Sequence, residues 1–461
     1  VIPLLSKIIE GARRLTTPSP ERYKEVGDIA ERVVNNVRKY AEQSPLNPEV
    51  ITGGSYARDT WLPEKADIDI FLRYPLQATK SDLEDVSYKI SCEAFGKDNL
   101  IIRYAEHPYV ETYVNAARIN IVPCYSVERG NWLTAADRSP YHLEFMRDNL
   151  SQKQKSEVRM LKKFMKASET YGAEIKIGGF SGYMCEVLIY RYSTFENLIK
   201  NAQRWRLPLI ISETDKLEYV KDRFHDDKII VTDPIDINRN LGRALYITTL
   251  SRFILESRSF LKHPSVDFFS EEKKKVTKKQ LTSPLAGNLL TIVFEHEKMS
   301  VDILWGMLNH TLSSLTKHFE KFDFKVIRSV AVSDDQKTSA FIFLFQMMAI
   351  SKYQIKKGPF VFDTDNMQSF LSKNRKDALL IWVDGEGKAC ALVGRHLDST
   401  TSLLKKIIRE PTKFGVSKKI TRYLKEENKV YVGKTVLSDK RRWLLEGVCE
   451  VFELKEKNYF D

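Results

Sequence analysis

Asp67-Ile68-Asp69 places two carboxylates two residues apart inside an apolar, strand-like run, "ADIDIF". On a strand this spacing sends both acids to one face and Ile68 and Ile70 to the other. Two carboxylates on one face can grip divalent cations, and Gly53-Gly54-Ser55 lies twelve residues upstream. A turn free of Cβ atoms lets backbone N–H groups and a serine hydroxyl approach a phosphate closely. Together they imply nucleotidyl-transfer chemistry. Two-metal chemistry of that kind calls for a third carboxylate, and the strand "ARINIVPCY" should supply it at its inward position. That position is Asn120. Asparagine offers one neutral oxygen and removes a charge from a site that must balance two dications. An Asp-x-Asp pair is also a common solvated edge feature, so context decides.

The elements that must position these residues are readable. Residues 21–43 repeat apolar side chains at three and four, as an amphipathic helix does. "EVITGGS" is a strand and turn, "DIDIFLRY" a strand, "KSDLEDVSYKISCEAFG" a helix opened by Ser81, and "RINIVPCY" a further strand. After Pro140 the pattern turns helical over residues 155–172, 179–205 and 240–263. The charge run 271–280, "EEKKKVTKKQ", reads as a solvated linker or helix end. Beyond it, strand 289–296, helix 300–322 and strands 325–334 and 338–347 suggest a ferredoxin-like or RRM-like unit. Its strands lack the aromatic signature of an RNA-stacking sheet, so backbone and shape contacts are the expectation there.

Read in order, the chain carries "TGGSYARDTWLPEKADIDIFLRY", "IRYAEHPYV", "INIVPCY", "DRSPYH", "YGAEIKIGGFSGYMCEVLI" and "DPIDINRN". This series resembles the archaeal (class I) CCA-adding enzymes, tRNA nucleotidyltransferases of the DNA-polymerase-β-like superfamily. The resemblance runs from about residue 45 to 270, and beyond it only the general organisation matches. It implies an α+β multidomain chain with a polymerase-β-like α/β head (1–145), a helical central neck (146–262) and an RRM-like body and tail (263–461). The implied activity is template-independent addition of C, C and A to the 3′ end of tRNA from CTP and ATP, releasing pyrophosphate, with Mg²⁺ as cofactor. The tRNA would be held by its acceptor stem and T arm, and relatives of this kind tend to be homodimers.

The resemblance also implies roles. Asp67 and Asp69 hold metal, and the family's third carboxylate stands where this chain has Asn120. Ser55 meets the triphosphate, and Arg58 meets the incoming nucleotide or primer end. His142 and Lys162 contact phosphate, and Tyr171 donates a hydroxyl bond. Arg239 helps select the cytosine and adenine edges, while Glu106 and His107 border the primer terminus. Structural alternatives stand beside these, among them an ion pair of Arg239 with Asp233 or Asp236.

Asn120 leads to the expectation that nucleotide binds but transfer is very slow. Three origins are open: a deliberate near-isosteric exchange, a natural inactive relative, or a displaced third ligand. Retained shape and intact binding motifs favour the first. No carboxylate in "NAARIN" or "IVPCYSVERG" has the right strand parity short of Glu128, which is too far along. Rival functions are a catalytically inactive tRNA- or nucleotide-binding relative and a poly(A)-polymerase-type enzyme.

Charge supports a nucleic-acid partner. Residues 1–150 hold 19 Lys and Arg against 22 Asp and Glu, whereas residues 151–461 hold 54 against 39. A metal-holding domain should be locally acidic and an RNA-gripping body basic. The five cysteines form no C-x-x-C pair, which fits reduced thiols in the cytoplasm. No apolar run reaches bilayer length, and "VIPLLSKIIEGARR" reads as an amphipathic helix, not a signal peptide.

Overall fold

A computed structural model describes residues 4–104, 108–115, 117–271, 284–426 and 428–452 of the 461. Glu106, His107 and most of the 271–280 charge run lie outside the described residues. The chain divides near residue 273 into two compact units.

The first unit contains two large hydrophobic cores and a small third cluster. Helices α1 (Leu4–Thr16) and α2 (Pro20–Glu42) lead into β1 (Glu49–Gly53), α3 (Gly54–Ala57), β2 (Asp67–Tyr74), α4 (Lys80–Phe95), β3 (Ile101–Tyr104), β4 (Pro108–Val114) and β5 (Ala117–Tyr125). The five strands pair in the order β1-β2-β5-β4-β3, with β2 and β5 parallel and the other pairs antiparallel. Period-two alternation puts Ile68, Ile70, Ile119 and Ile121 into a core with Val26, Val33 and Val37 of α2 and Leu83 and Ile90 of α4. Asp67, Asp69 and Asn120 therefore face away from those helices. Helix α4 starts earlier than Ser81. Thr79 accepts from the Asp82 N–H at 3.2 Å and Asp82 accepts from the Thr79 N–H at 2.7 Å, a reciprocal cap two residues upstream.

The other large core is built on α5 (Arg138–Asn149), α6 (Gln152–Ala167), α7 (Gly182–Tyr192), α8 (Phe195–Ala202) and α10 (Ile247–Lys262), while α9 (Leu217–Arg223) packs Val220 with Phe224 and Ile230 in a small cluster of its own. Phe164 lies at the centre of the large core, edge-on to Phe195, Phe253, Phe260 and Phe269. Ile9 and Ala12 of α1 are buried in this core. The apolar pattern of 179–205 is two helices, because Ser193 takes φ 67° and Thr194 then caps α8. A small sheet joins the helices: β6 (Leu209–Ile211), β7 (Ile229–Asp233) and β8 (Asp236–Asn240), in that order.

The second unit runs β9 (Leu289–Glu295), α11 (Val301–Lys321), β10 (Val326–Ser333), β11 (Thr338–Phe345), β12 (Tyr353–Phe360), α12 (Thr364–Asn374), β13 (Ala378–Val383), β14 (Lys388–Gly394), α13 (Thr400–Arg409), α14 (Lys418–Glu426), β15 (Asn428–Val432) and α15 (Arg442–Phe452). Its main sheet, β10-β11-β9-β15, is antiparallel throughout, the strand order of a ferredoxin-like βαββαβ unit. The three strands β12-β14-β13 form a separate small sheet inserted after β11. Phe341, Phe343 and Phe345 of β11 pack on the α11 side, while Ala340, Ile342 and Leu344 pack with Leu444, Val448 and Val451 of α15. The central strand is thus covered on both faces, which explains its unbroken apolar run. It leaves no open aromatic face for base stacking.

Candidate active site

The local sequence builds the site from the turn outward. Gly54 has φ +67° and lies so close to Asp69 that an added Cβ would come within 1.8 Å of Asp69 Oδ2. Glycine is required there for both conformation and space. The parallel register of β2 and β5 then sets Asp67 beside Arg118 and Asp69 beside Asn120. Antiparallel pairing with β4 sets Glu111 opposite Asn120 on the far side. One row across the sheet therefore reads Gly53, Asp69, Asn120, Glu111.

These neighbours are in contact. Arg118 donates from Nε and Nη2 to the two oxygens of Asp67, at 2.9 and 2.7 Å. Asn120 donates from Nδ2 to Asp69 Oδ1 at 2.7 Å, and its own Oδ1 is buried without a partner. Burial drives the Asp69 carboxyl upward from its ordinary value, more than the Asn120 hydrogen bond and Arg58 hold it down.

Behind the turn, a fully buried carboxylate organises the cations. Glu186 of α7 meets Arg58 Nε at 2.6 Å, accepts from Thr60 Oγ1, and pairs with Lys162 Nζ at 3.5 Å. Lys162 also donates to the Thr60 carbonyl and hydroxyl, at 2.9 and 3.1 Å, so its ammonium is engaged within the chain. Burial lowers the Lys162 ammonium from its ordinary value. Tyr171 is adjacent: a Cβ on Gly182 would lie 3.0 Å from its hydroxyl and 3.7 Å from Lys162 Nζ.

A further cluster surrounds Asp233, at the end of β7. His142 Nε2 lies 2.9 Å from Asp233 Oδ2, Arg239 donates to the same oxygen at 3.1 Å, and the Tyr183 hydroxyl donates to Oδ1 at 3.1 Å. The His142 and Tyr183 rings lie 3.8 Å apart between centroids. Burial depresses His142, against the opposing pull of Asp233. Arg239 pairs with Asp233, whereas Asp236 takes Arg138 at 2.9 Å. Arg58 acts electrostatically on both Asp69 and His142, so the two clusters share one field.

Family models match in series along the chain: a nucleotidyltransferase domain over residues 34–148, the second domain of tRNA nucleotidyltransferase over 156–270, and the C-terminal domain of CCA-adding enzyme over 286–433. The CCA-adding enzyme of Methanothermobacter thermautotrophicus is 30% identical over 410 residues, covering 87% of this chain and 88% of that protein. The chain belongs to the CCA-adding enzyme family. The relatives of that name in Pyrobaculum neutrophilum and Methanocaldococcus jannaschii are 35% and 33% identical, each covering 82% of this chain and 87% and 86% of their own lengths. It is a tRNA nucleotidyltransferase with a polymerase-β-like catalytic fold, as the motif series implies.

Nucleotidyltransferases of this family generally use divalent metals, so the donor set matters. Asp67 is already taken by a guanidinium, and Lys65 Nζ lies 3.7 Å from its Oδ2. The third position is a neutral amide, and Glu111 is held by Arg103 at 2.7 Å. Among the described residues no three His, Cys, Asp or Glu side chains come together as a metal-holding group. Two carboxylates, one amide and a guanidinium do not fit a pair of divalent ions.

Glu111 sits on the strand next to β5, beyond the reach of strand parity along "NAARIN" and "IVPCYSVERG". Arg118 does carry a local signal, since two residues back from Asn120 is the same strand face. Glu186 had a signal of its own: it is the lone acid in the apolar run "GYMCEVLI". The sequence offers Asp233 as a partner for Arg239, whereas its gathering of His142 and Tyr183 depends on the fold.

Proposed function

We propose that this chain binds the 3′ end of tRNA together with CTP or ATP, and adds C, C and A very slowly. The observation that carries this is the row Gly53, Asp69, Asn120: the phosphate turn abuts a family carboxylate, and an amide stands at the third acidic position. Family membership supports the substrates, and the intact turn, Arg58 and the Asp233 cluster support their binding. In this reading residues 1–145 act as catalytic head, 146–262 as neck and 263–461 as tRNA-holding body and tail.

Each side chain has a defined task. Ser55 and the N–H groups of the Gly53-Gly54 turn receive the triphosphate, close to Arg58, which Glu186 fixes in place. Lys162 secures the Thr60 turn and positions Arg58 through Glu186. His142, Tyr183 and Arg239 act as one hydrogen-bonded group around Asp233, with Arg239 keeping free N–H donors for a base edge or a phosphate. Tyr171 lines the start of α7. Mg²⁺ is the ion the family reaction calls for, and Asp67 and Asp69 are the residues it would use. Their present partners limit that use, so binding is the better-supported half of the activity.

The test is extension of a tRNA lacking its CCA end, with CTP, ATP and Mg²⁺. Slow CMP incorporation is the expected result, little changed in Asn120→Asp while Arg118 still covers Asp67, and at least about 10-fold faster once Arg118→Ala is added, on the scale by which ligand-shell changes alter metal-dependent activity. ATP incorporation without CTP use would favour the poly(A)-polymerase type. No extension by any form, with tRNA still bound, would favour a binding-only relative.

A further inference from the structure

Arg118 is the charged group in this site that the nucleotidyltransferase reading leaves unused. Its guanidinium covers both oxygens of Asp67, and its Nη1 lies 3.8 Å from Glu111 Oε2. Glu111 is in turn held by Arg103 at 2.7 Å, and the Tyr113 hydroxyl donates to it at 3.3 Å. Charges thus alternate across four strands: Arg103 on β3, Glu111 on β4, Arg118 on β5 and Asp67 on β2. Register sets Asp67 directly beside Arg118 in the parallel ladder, while Glu111, whose direct partners are Asn120 and Ile101, reaches Arg118 and Arg103 diagonally. Planar, bidentate contact with a carboxylate is the strongest geometry available to an arginine. Asn120 makes the parallel contact on Asp69 one step along the same two strands. Each acid of the Asp-x-Asp pair is therefore met by a hydrogen-bond donor from β5.

We propose that Arg118 is a built-in counter-ion that takes the place of a divalent cation on Asp67, so that this site receives a nucleoside triphosphate without a metal ion. The proposal rests on the nucleotidyltransferase reading of the site. A divalent ion there would both neutralise the carboxylates and offset the triphosphate. In this chain Arg118 and Lys65 neutralise Asp67, and Arg58 stands near the phosphate turn as a further cation. Loss of metal binding is then a lesion of two residues, Asn120 and Arg118. A single exchange at Asn120 leaves the guanidinium on Asp67, and this favours a natural, co-adapted change over a lone deliberate substitution.

The experiment measures Mn²⁺ binding by the loss of the free-ion paramagnetic resonance signal, together with CTP binding by calorimetry in EDTA or in Mg²⁺. The full chain is compared with Asn120→Asp, Asn120→Asp/Arg118→Ala and Asn120→Asp/Arg118→Gln. The glutamine keeps length and polarity, and Glu111 retains Arg103 in both double variants. The expected result is weak Mn²⁺ binding in the parent and in Asn120→Asp, and binding at least about 10-fold tighter in a double variant, the scale on which metal affinity responds to such changes. CTP affinity in the parent should agree within about 2-fold with and without Mg²⁺, and should become Mg²⁺-dependent in the double variants. Mn²⁺ binding by Asn120→Asp equal to that of both double variants would overturn the proposal. So would parental CTP binding that requires Mg²⁺. If no form bound CTP at all, the nucleotidyltransferase reading would fail, while the Mn²⁺ comparison would still decide the role of Arg118.

Discussion

At the scale of single residues, Glu186 does the most to hold the site together. It is fully buried, and burial alone would raise its carboxyl, yet Arg58 and Lys162 hold it below the ordinary value of 4.5. Its contribution to stability is therefore present above about pH 4.5 and is lost as pH falls through the lower folded-state value. Glu186→Gln should destabilise the first unit by about 3 kcal/mol at pH 7, because it leaves two buried cations short of a partner. Hydrogen exchange of α6 and α7 between pH 7 and 3.5 checks both statements: protection falls with acid in the parent and much less in the variant. CTP affinity should drop as well, since Arg58 loses its anchor. The carboxylate pair Asp67 and Asp69 and the Gly53-Gly54-Ser55 turn were legible in the sequence because spacing and strand parity are local. Their partners Arg118 and Glu111 depend on strand pairing, which a single strand does not display.

At the scale of elements, the second unit shows what a covered sheet demands. Helix α15 places Leu444, Val448 and Val451 against Ile342, Leu344 and Val293, and all but Val293 are at most 2% exposed. Leu444→Ala should cost the second unit about 2–5 kcal/mol, the range for emptying a buried leucine site. Chemical denaturation followed by exchange of β11 amides measures it, with β2 amides unchanged as the internal control. Strands β9, β10 and β11 and helix α11 were readable within a few residues because their apolar runs are long and unambiguous. Helix α1 was legible as a helix, but its packing with the neck core was not, since amphipathicity does not name a partner. The break at Ser193 was hidden because the apolar spacing continues through "YRYSTFENL".

At the scale of the whole chain, the basic surplus lies in residues 151–461, and 73 Lys and Arg stand against 61 Asp and Glu in all. Binding of tRNA should therefore weaken steeply with salt. About six phosphate contacts would give a log–log slope near −4 on single strands and steeper on duplex. Titrations between about 50 and 200 mM salt read it, and a slope near zero would remove the basic body from the binding surface. Among the described residues no helix is long and apolar enough to cross a membrane.

The small sheet β12-β14-β13 leaves and rejoins its unit at a single stem. Thr400 N–H reaches the Met348 carbonyl, Ile350 N–H the Asp398 carbonyl and Arg395 N–H the Lys352 carbonyl, at 2.9, 2.9 and 2.7 Å. A stretch entered and left at one point is, to the rest of the fold, a single long hairpin loop. Residues can be added to it or removed from it without shifting the pairing of Phe341 with Ile292. Evolution can thus lengthen or shorten this arm to suit a differently shaped RNA while the parent sheet keeps its register.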